Sequence, residues 1–336
     1  MDCKKICIIH LNQIGDLVFS LPLLKALREQ FPGASIHSVI KPYLRELLEP
    51  SPYVNVIIER RQGLGEKVKL LKALRHNSYD LLISLAHSEE CLLLAALSKA
   101  RIKAGFSHFP WDTALDVKES IDGHNSWKNN AKLLKRLDIA FIKNDYVGLI
   151  TVDGKIDDFS LPASFVVVSP GASRRRLTKT WQEDKFAQLL LALNKEYGLT
   201  PVLVGGADNR ETNSAITNSI RQHARDHDID VVDFSGRIGL YDLCRVIRHA
   251  RLFVGIDSGV MHLASSLDVP VVGLFGPSDP FYVGPHNSRS AVVRDEHLAC
   301  APCYLKPCDH TTCMKNITVD QVMGACRKLL DESGSP

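Results

Sequence analysis

The apolar and polar positions divide the chain into two runs of the same alternation. Lys5 to His10 opens the first run, with Ile6, Cys7, Ile8 and Ile9 as an unbroken apolar stretch. Such stretches fit strands covered on both faces, as in a parallel sheet. Leu17, Leu21, Leu24 and Leu27 then recur at helical spacing up to Phe31-Pro32-Gly33. Further strands are predicted at 36–40, 54–58, 80–85 and 102–106, with helices at 64–74, 91–97 and 124–137. Positions 107–123 carry no clear period. An acidic stretch at 153–161, broken by Gly154 and followed by Pro162, reads as a linker.

The alternation then restarts. Strands are predicted at 165–169, 200–204, 231–234, 252–254 and 269–275. Helices fall between them at 182–197, 209–223, 240–249 and 260–267. This pattern predicts two α/β domains, each a doubly wound parallel sheet, over 1–155 and 162–317, with a C-terminal helix and tail over 318–336. Ligands of such sheets gather at the carboxyl ends of the strands, so two of them imply a cleft there.

Composition narrows the class. The chain has 336 residues, 45% hydrophobic and 24% charged, enough for two cores in an ordinary soluble protein. A net charge of +3 does not argue for nucleic acid as a partner. No apolar run reaches the ~18 residues that span a bilayer. The start of the chain lacks a secretory h-region, so the cytoplasm is the expected compartment. Nine cysteines, an odd number, then read as thiols or ligands.

Five features carry candidate chemistry. Asp257-Ser258-Gly259 ends one predicted strand and opens a helix through Val260, Met261 and His262. A glycine turn at a helix N-terminus offers free N–H groups to an anion, although Ser258 is equally suited to be an ordinary N-cap. Ser169 to Trp181 follows another strand and holds Ser173, Arg174, Arg175, Arg176 and Lys179, a basic loop able to clamp phosphates. Gly205-Gly206 with Asp208 and Glu211 ends a third strand. Its glycines permit close approach of a ligand, and its carboxylates suit ribose or sugar hydroxyls. Asp16 opens the first helix, either as a carboxylate stabilised by the helix dipole or as a general base.

The fifth feature is Cys300, Cys303, Cys308 and Cys313, with His310 among them. Four cysteines in a short loop can hold Zn²⁺ or an iron–sulfur cluster. Their spacing departs from the paired ribbon pattern, and a loop of reduced thiols packed on its domain is the reading taken. Asp228-Ile229-Asp230 precedes a strand, at the end of the sheet away from ligands, so it supplies no Mg²⁺ site. A leaving phosphate would then rely on Arg, Lys and helix N-termini, with no metal required.

Taken in order, these motifs resemble the ADP-heptose:lipopolysaccharide heptosyltransferases. The likeness rests on Ile14-Gly15-Asp16 with Leu21-Pro22, Pro170-Gly171-Ala172 with Lys179 and Trp181, and Gly205-Gly206 with Asp208. It also rests on Asp257-Ser258-Gly259 with Met261-His262-Leu263-Ala264, on Phe275-Gly276-Pro277-Ser278-Asp279-Pro280, and on the cysteine loop. It departs at Gln182, where the family often has proline, and in the Arg174–Arg176 run. The resemblance implies a GT-B glycosyltransferase of two Rossmann-like domains that transfers heptose from ADP-L-glycero-D-manno-heptose with inversion. The acceptor it implies is the lipopolysaccharide inner core, met at the inner face of the cytoplasmic membrane. Asp16 would be the base and Lys179 would stabilise the diphosphate, assisted by Ser173 and Arg175. Asp208 or Glu211 would hold the nucleoside. Ser258, Gly259 and His262 would seat the diphosphate, with Asp257 ordering the turn or meeting sugar hydroxyls. Lys41, Arg45, Arg60 and Arg61 are expected either to face anionic head groups or to form a solvated face. The competing readings are a sugar-nucleotide epimerase on the same fold and a non-catalytic nucleotide- or metal-binding protein built around the cysteine loop.

Overall fold

A computed structural model of the chain describes residues 3–123, 127–140, 146–154, 156, 159–171, 177–224, 229–304 and 308–332. The chain divides into two compact units, Met1–Thr151 and Val152–Pro336.

The first unit holds β1 (Lys5–Ile9), β2 (Ser35–Ile40), β3 (Val56–Glu59), β4 (Leu81–Ser84), β5 (Ile102–Phe106) and β6 (Val117–Glu119). They form one sheet in the order β3-β2-β1-β4-β5-β6, with every pairing parallel. Ile6, Cys7, Ile8 and Ile9 are fully buried because β1 is central and covered on both faces. Helix Ile14–Gln30 follows β1 and is apolar around most of its circumference, with Leu17, Leu21, Leu24 and Leu27 wholly buried. Helices Leu64–Asn77 and Glu89–Leu97 pack through Leu70, Leu74, Cys91, Leu92 and Leu94 onto a core shared with Cys7, Ile9 and Leu82.

The second unit holds β7 (Phe165–Ser169), β8 (Thr200–Leu203), β9 (Val232–Asp233), β10 (Leu252–Ile256), β11 (Val271–Leu274) and β12 (Ser290–Val293). Their order is β12-β11-β10-β7-β8-β9, again all parallel, which is the first sheet's order read from its other edge. The doubly wound α/β expectation therefore holds in both halves. Helix Glu183–Tyr197 ends at Gly198, whose φ of +65 lets its N–H return to the Asn194 carbonyl at 2.8 Å. The terminal helix Val319–Glu332 belongs to the second core, which it enters through Val322, Met323, Cys326, Leu329 and Leu330.

The pattern did not predict β6 or β12. Each is an edge strand of three or four residues that is only partly buried, so neither needs the continuous apolar run of an inner strand. In each sheet the chain reverses its winding between the first and fourth strands, β1 and β4 in one and β7 and β10 in the other. Crevices form outside the carboxyl ends of the strands at such reversal points. The loops after β1, β4, β7 and β10 are therefore where each sheet favours a ligand.

Candidate active site

In the second unit the loop after β7 is anchored by Trp181. Its indole is 1% exposed, donates from Nε1 to the Ile317 carbonyl at 2.9 Å and meets Phe186 edge-on at 4.8 Å. Burying so large a side chain, at a truncation cost of about 3–5 kcal/mol, fixes the short 3₁₀ turn Leu177–Lys179 beside it. The Lys179 ammonium thereby reaches the Asp257 carboxylate, which follows β10, and the two form a close ion pair. Their side chains are only 16% and 7% exposed. The two loops at the reversal point thus meet through opposite charges. Ser173 and Arg175, with Arg174 and Arg176, lie outside the described residues.

Asp257 holds the turn through its backbone N–H, which donates to the Leu274 carbonyl of β11 at 3.1 Å. Ser258 occupies the N-cap position of helix Gly259–Ser266, yet its side chain makes no capping bond. Its Oγ is buried without a hydrogen-bond partner, and so is Oγ of Ser278, after β11. The capping role that the sequence allowed Ser258 is therefore not realised through its hydroxyl. His262, one turn into the helix, is 3% exposed. Burial pulls its imidazole down to about 4, against the opposing pull of Asp257. It is neutral at pH 7 and offers the site a hydrogen bond, not a positive charge.

The glycines after β7 and β8 serve each other's loops. A β-carbon on Gly171 would fall 2.0 Å from the Asn209 amide nitrogen, and one on Gly205, whose φ is +153, would fall 2.6 Å from its Oδ1. Asn209 fills this space and its Oδ1 accepts from the Gly206 N–H at 3.1 Å. The close approach expected of a ligand at Gly205 is thus made by a side chain of the protein. Asp208 and Glu211 are both exposed at the start of helix Arg210–His223, and the geometry does not choose between them.

The cysteine loop braces the turn after β11. Backbone N–H groups of Cys303 and Tyr304 both donate to the Pro277 carbonyl, at 3.0 and 2.8 Å. Tyr304 Oη accepts from the Asp279 N–H at 2.9 Å. Burial raises the Tyr304 phenol, and the nearby Asp279 and Asp257 carboxylates add to the effect. Cys300 is exposed, Cys303 and Cys308 are half-buried and Cys313 is buried, all as free thiols. Burial raises the Cys313 thiol, with Cys303 adding to the rise. Among the described residues no three His, Cys, Asp or Glu side chains are placed to hold a metal ion.

With this geometry in hand, comparison with known proteins is specific. The family model of glycosyltransferase family 9 (heptosyltransferase) matches residues 67–313. The chain belongs to glycosyltransferase family 9. Lipopolysaccharide heptosyltransferase 3 of Escherichia coli is 25% identical over 82% of this chain and 84% of its own length. Lipooligosaccharide heptosyltransferase 2 of Campylobacter jejuni is 25% identical over 97% and 98%. Among solved structures, ADP-heptose lps heptosyltransferase II of E. coli superposes with a TM-score of 0.81 over 98% of this chain and 100% of that one, at 23% identity, a likeness of fold. Family membership makes the chain a glycosyltransferase and sets aside the epimerase and non-catalytic readings.

In the first unit of the family 9 enzyme, Asp16 lies half-buried in the first turn of helix Ile14–Gln30, directly after the β1 loop. That loop is pinned from two sides. The Tyr43 hydroxyl donates to the Asn12 carbonyl, and Arg60 Nη2 donates to Asn12 Oδ1. Burial raises the Tyr43 phenol, and the Asp16 carboxylate raises it further through its charge. Arg60 is 3% exposed and 4.0 Å from Glu90. It is not the surface cation that the sequence suggested. Arg45 and Arg61 both pair with Glu59, at 3.4 and 2.6 Å. The expected face is therefore corrected at Arg60, which is an internal strut, while Arg45 and Arg61 keep 41% and 60% of their side chains exposed, as a solvated face requires.

Sequence reasoning missed Tyr43, Asn209 and Tyr304 in the transferase and misplaced Arg60. For Arg60 a signal existed, because it directly follows β3 at the carboxyl end of the sheet. Asn209 could have been sought as the partner of two glycine turns. Tyr304 gave none.

Proposed function

We propose that the enzyme transfers a heptosyl group from ADP-heptose to a sugar of the lipopolysaccharide inner core, with inversion at the anomeric carbon. The relatives named as lipopolysaccharide and lipooligosaccharide heptosyltransferases support this reading. The observation that carries it is the Lys179–Asp257 pair, set at a helix N-terminus whose next residue, Ser258, holds a buried hydroxyl that lacks a partner, as does Ser278 after the neighbouring strand. In this reading the diphosphate takes hydrogen bonds from Ser258, the Gly259 turn and neutral His262. Lys179 balances the charge that grows on the leaving diphosphate. Asp257 holds Lys179 in place and meets sugar hydroxyls, since a second anion at the diphosphate itself would repel it. Asp208 or Glu211 takes the ribose, and Ser173 and Arg175 extend the clamp. Asp16 accepts the proton of the attacking hydroxyl as the new bond forms, with Tyr43 and Asn12 fixing its loop. Domain roles follow: residues 1–155 bind the acceptor and 162–317 the donor.

The test is to incubate the enzyme with a panel of nucleotide sugars, reading thermal stabilisation first and nucleotide release second. ADP-heptose should give the largest rise in melting temperature, and ADP should appear only when a core acceptor is added. Stabilisation by a different nucleotide sugar would replace the donor. ADP release without acceptor would argue against transfer to a sugar.

A further inference from the structure

The loops that end the second sheet follow a line. Four neighbouring strands stand in the order β8-β7-β10-β11. Their carboxyl ends present Asp208 and Glu211, then Lys179, then Asp257 to Gly259, then the turn Gly276 to Asp279. The first three are the ribose and diphosphate sites of the proposed function. In a nucleotide sugar the ribose, the diphosphate and the glycosyl group are joined in that same order. The turn after β11 therefore holds the next position on the line. It begins two residues beyond the Leu274 carbonyl, which holds the Asp257 N–H at 3.1 Å.

The cysteine loop braces this turn from both of its ends. A β-carbon on Gly276 would fall 2.5 Å from the Met314 sulfur and 2.9 Å from that of Cys313, so glycine lets the far end of the loop press against the chain. The near end holds Pro277, whose carbonyl takes the Cys303 and Tyr304 N–H groups. Asp279 gives its N–H to Tyr304 Oη at 2.9 Å and accepts at Oδ1 from the Phe281 N–H at 3.0 Å. Tyr304 adopts a left-handed backbone, with φ of +55, which is costly for so bulky a residue. Such a conformation persists where the surroundings hold it, and here they hold a phenol against Asp279.

Three of the four turn residues are thus committed. Ser278 is the exception. It is 1% exposed, and its Oγ has no partner. Alanine would occupy the same place without an unmade hydrogen bond. A hydroxyl kept at that cost fits a ligand group that both donates and accepts, as a sugar hydroxyl does.

We propose that the Ser278 hydroxyl binds the glycosyl group of the donor, and that the cysteine loop positions Ser278 through Tyr304. The inference rests on the proposed function, because it extends the ribose and diphosphate sites of that reading by one strand.

Calorimetry on the full chain with two probes, ADP and ADP-heptose, in the absence of acceptor tests it. Ser278→Ala should bind ADP-heptose about tenfold more weakly than wild type and bind ADP unchanged. Its melting temperature should hold or rise slightly, since a buried unpaired hydroxyl is removed. Tyr304→Phe keeps the ring and loses the acceptor of the Asp279 N–H, so it should show the same split at about threefold. A Ser278→Ala chain that unfolds, or that melts lower with both affinities at wild-type values, would show that the hydroxyl serves the fold. Equal weakening toward both probes would place it at the diphosphate. Each of these results overturns the proposal and leaves the transferase reading standing, and so does Tyr304→Phe without a split. A wild type that binds ADP but not ADP-heptose sinks the assigned donor, one that binds neither sinks the nucleotide site, and the proposal falls with either.

Discussion

The two units share a strand order, and the buried polar groups just after β1 and just after β10 are treated in opposite ways, while His87 Nδ1 in the loop after β4 is, like Ser258, buried without a partner. After β1, His10 is fully buried and satisfied from within. Ser20 donates its hydroxyl hydrogen to the Leu17 carbonyl at 2.6 Å, so it accepts from His10 Nδ1 at 2.9 Å. Ser38 then serves Nε2 at 3.2 Å. After β10 and β11, Ser258 and Ser278 hold buried hydroxyls with no partner, beside an ion pair taken largely out of water. An unmade hydrogen bond costs about 1–3 kcal/mol per buried group. The first arrangement stabilises a fold. The second carries a cost that a ligand would repay, and it locates recognition on loops while the sheet stays the same.

The largest expected effect follows from giving each unit its own task. Asp16→Asn removes the proposed base from the first unit. Transfer should fall by about 10²–10⁴-fold in kcat, while ADP affinity measured by calorimetry is retained. Normal turnover would reduce Asp16 to a helix-terminal carboxylate and remove the division of labour.

Next in size is the ion pair. Lys179→Met leaves Asp257 buried without its partner, which should destabilise the second unit by about 3–5 kcal/mol in urea unfolding. Adding Asp257→Asn should recover most of that stability without recovering transfer. Restored activity in the double variant would show that the pair is structural and that the diphosphate is held elsewhere.

How much of this was legible in the sequence depends on what each residue needs from its neighbours. Inner strands declared themselves, because Phe165 to Val168 form the unbroken apolar run that a strand between two covered faces requires. Asp257 and Lys179 were found as loop residues at strand ends, but their pairing was not, since 78 positions separate them and only the β7–β10 adjacency joins them. Arg60 shows the reverse failure. A cation near other cations read as surface, whereas an acceptor at Asn12, 48 positions away, lets it stay inside. Local pattern encodes which face is covered, and it carries no record of a partner brought by topology.

Acid should charge the two most deeply buried imidazoles, His10 and His262. In the unfolded chain each takes up a proton near pH 6.5. Burial lowers His262 to about 4 and His10 to about 3 in the folded state. Between these values the unfolded chain binds more protons, so stability rises with pH. The contribution is complete above about pH 6.5 and erodes as pH falls toward 4. His262→Gln should therefore lose roughly 2 kcal/mol less than wild type between about pH 7 and pH 5 in urea unfolding. An unchanged pH dependence would mean that the imidazole is hydrated and charged in the folded protein.

The smallest effect separates the two kinds of buried polar group most cleanly. Ser20→Ala in the first unit removes the acceptor of His10 Nδ1 and should cost about 1–2 kcal/mol of stability. Ser258→Ala removes a hydroxyl that bonds to nothing in the ligand-free protein, so stability should hold or rise slightly. Its cost should appear only with nucleotide present, as about a tenfold loss of ADP affinity. A matching stability loss in Ser258→Ala, with ADP affinity intact, would mean that the hydroxyl has a partner within the fold. The contrast between the two units would then lie in the ion pair alone.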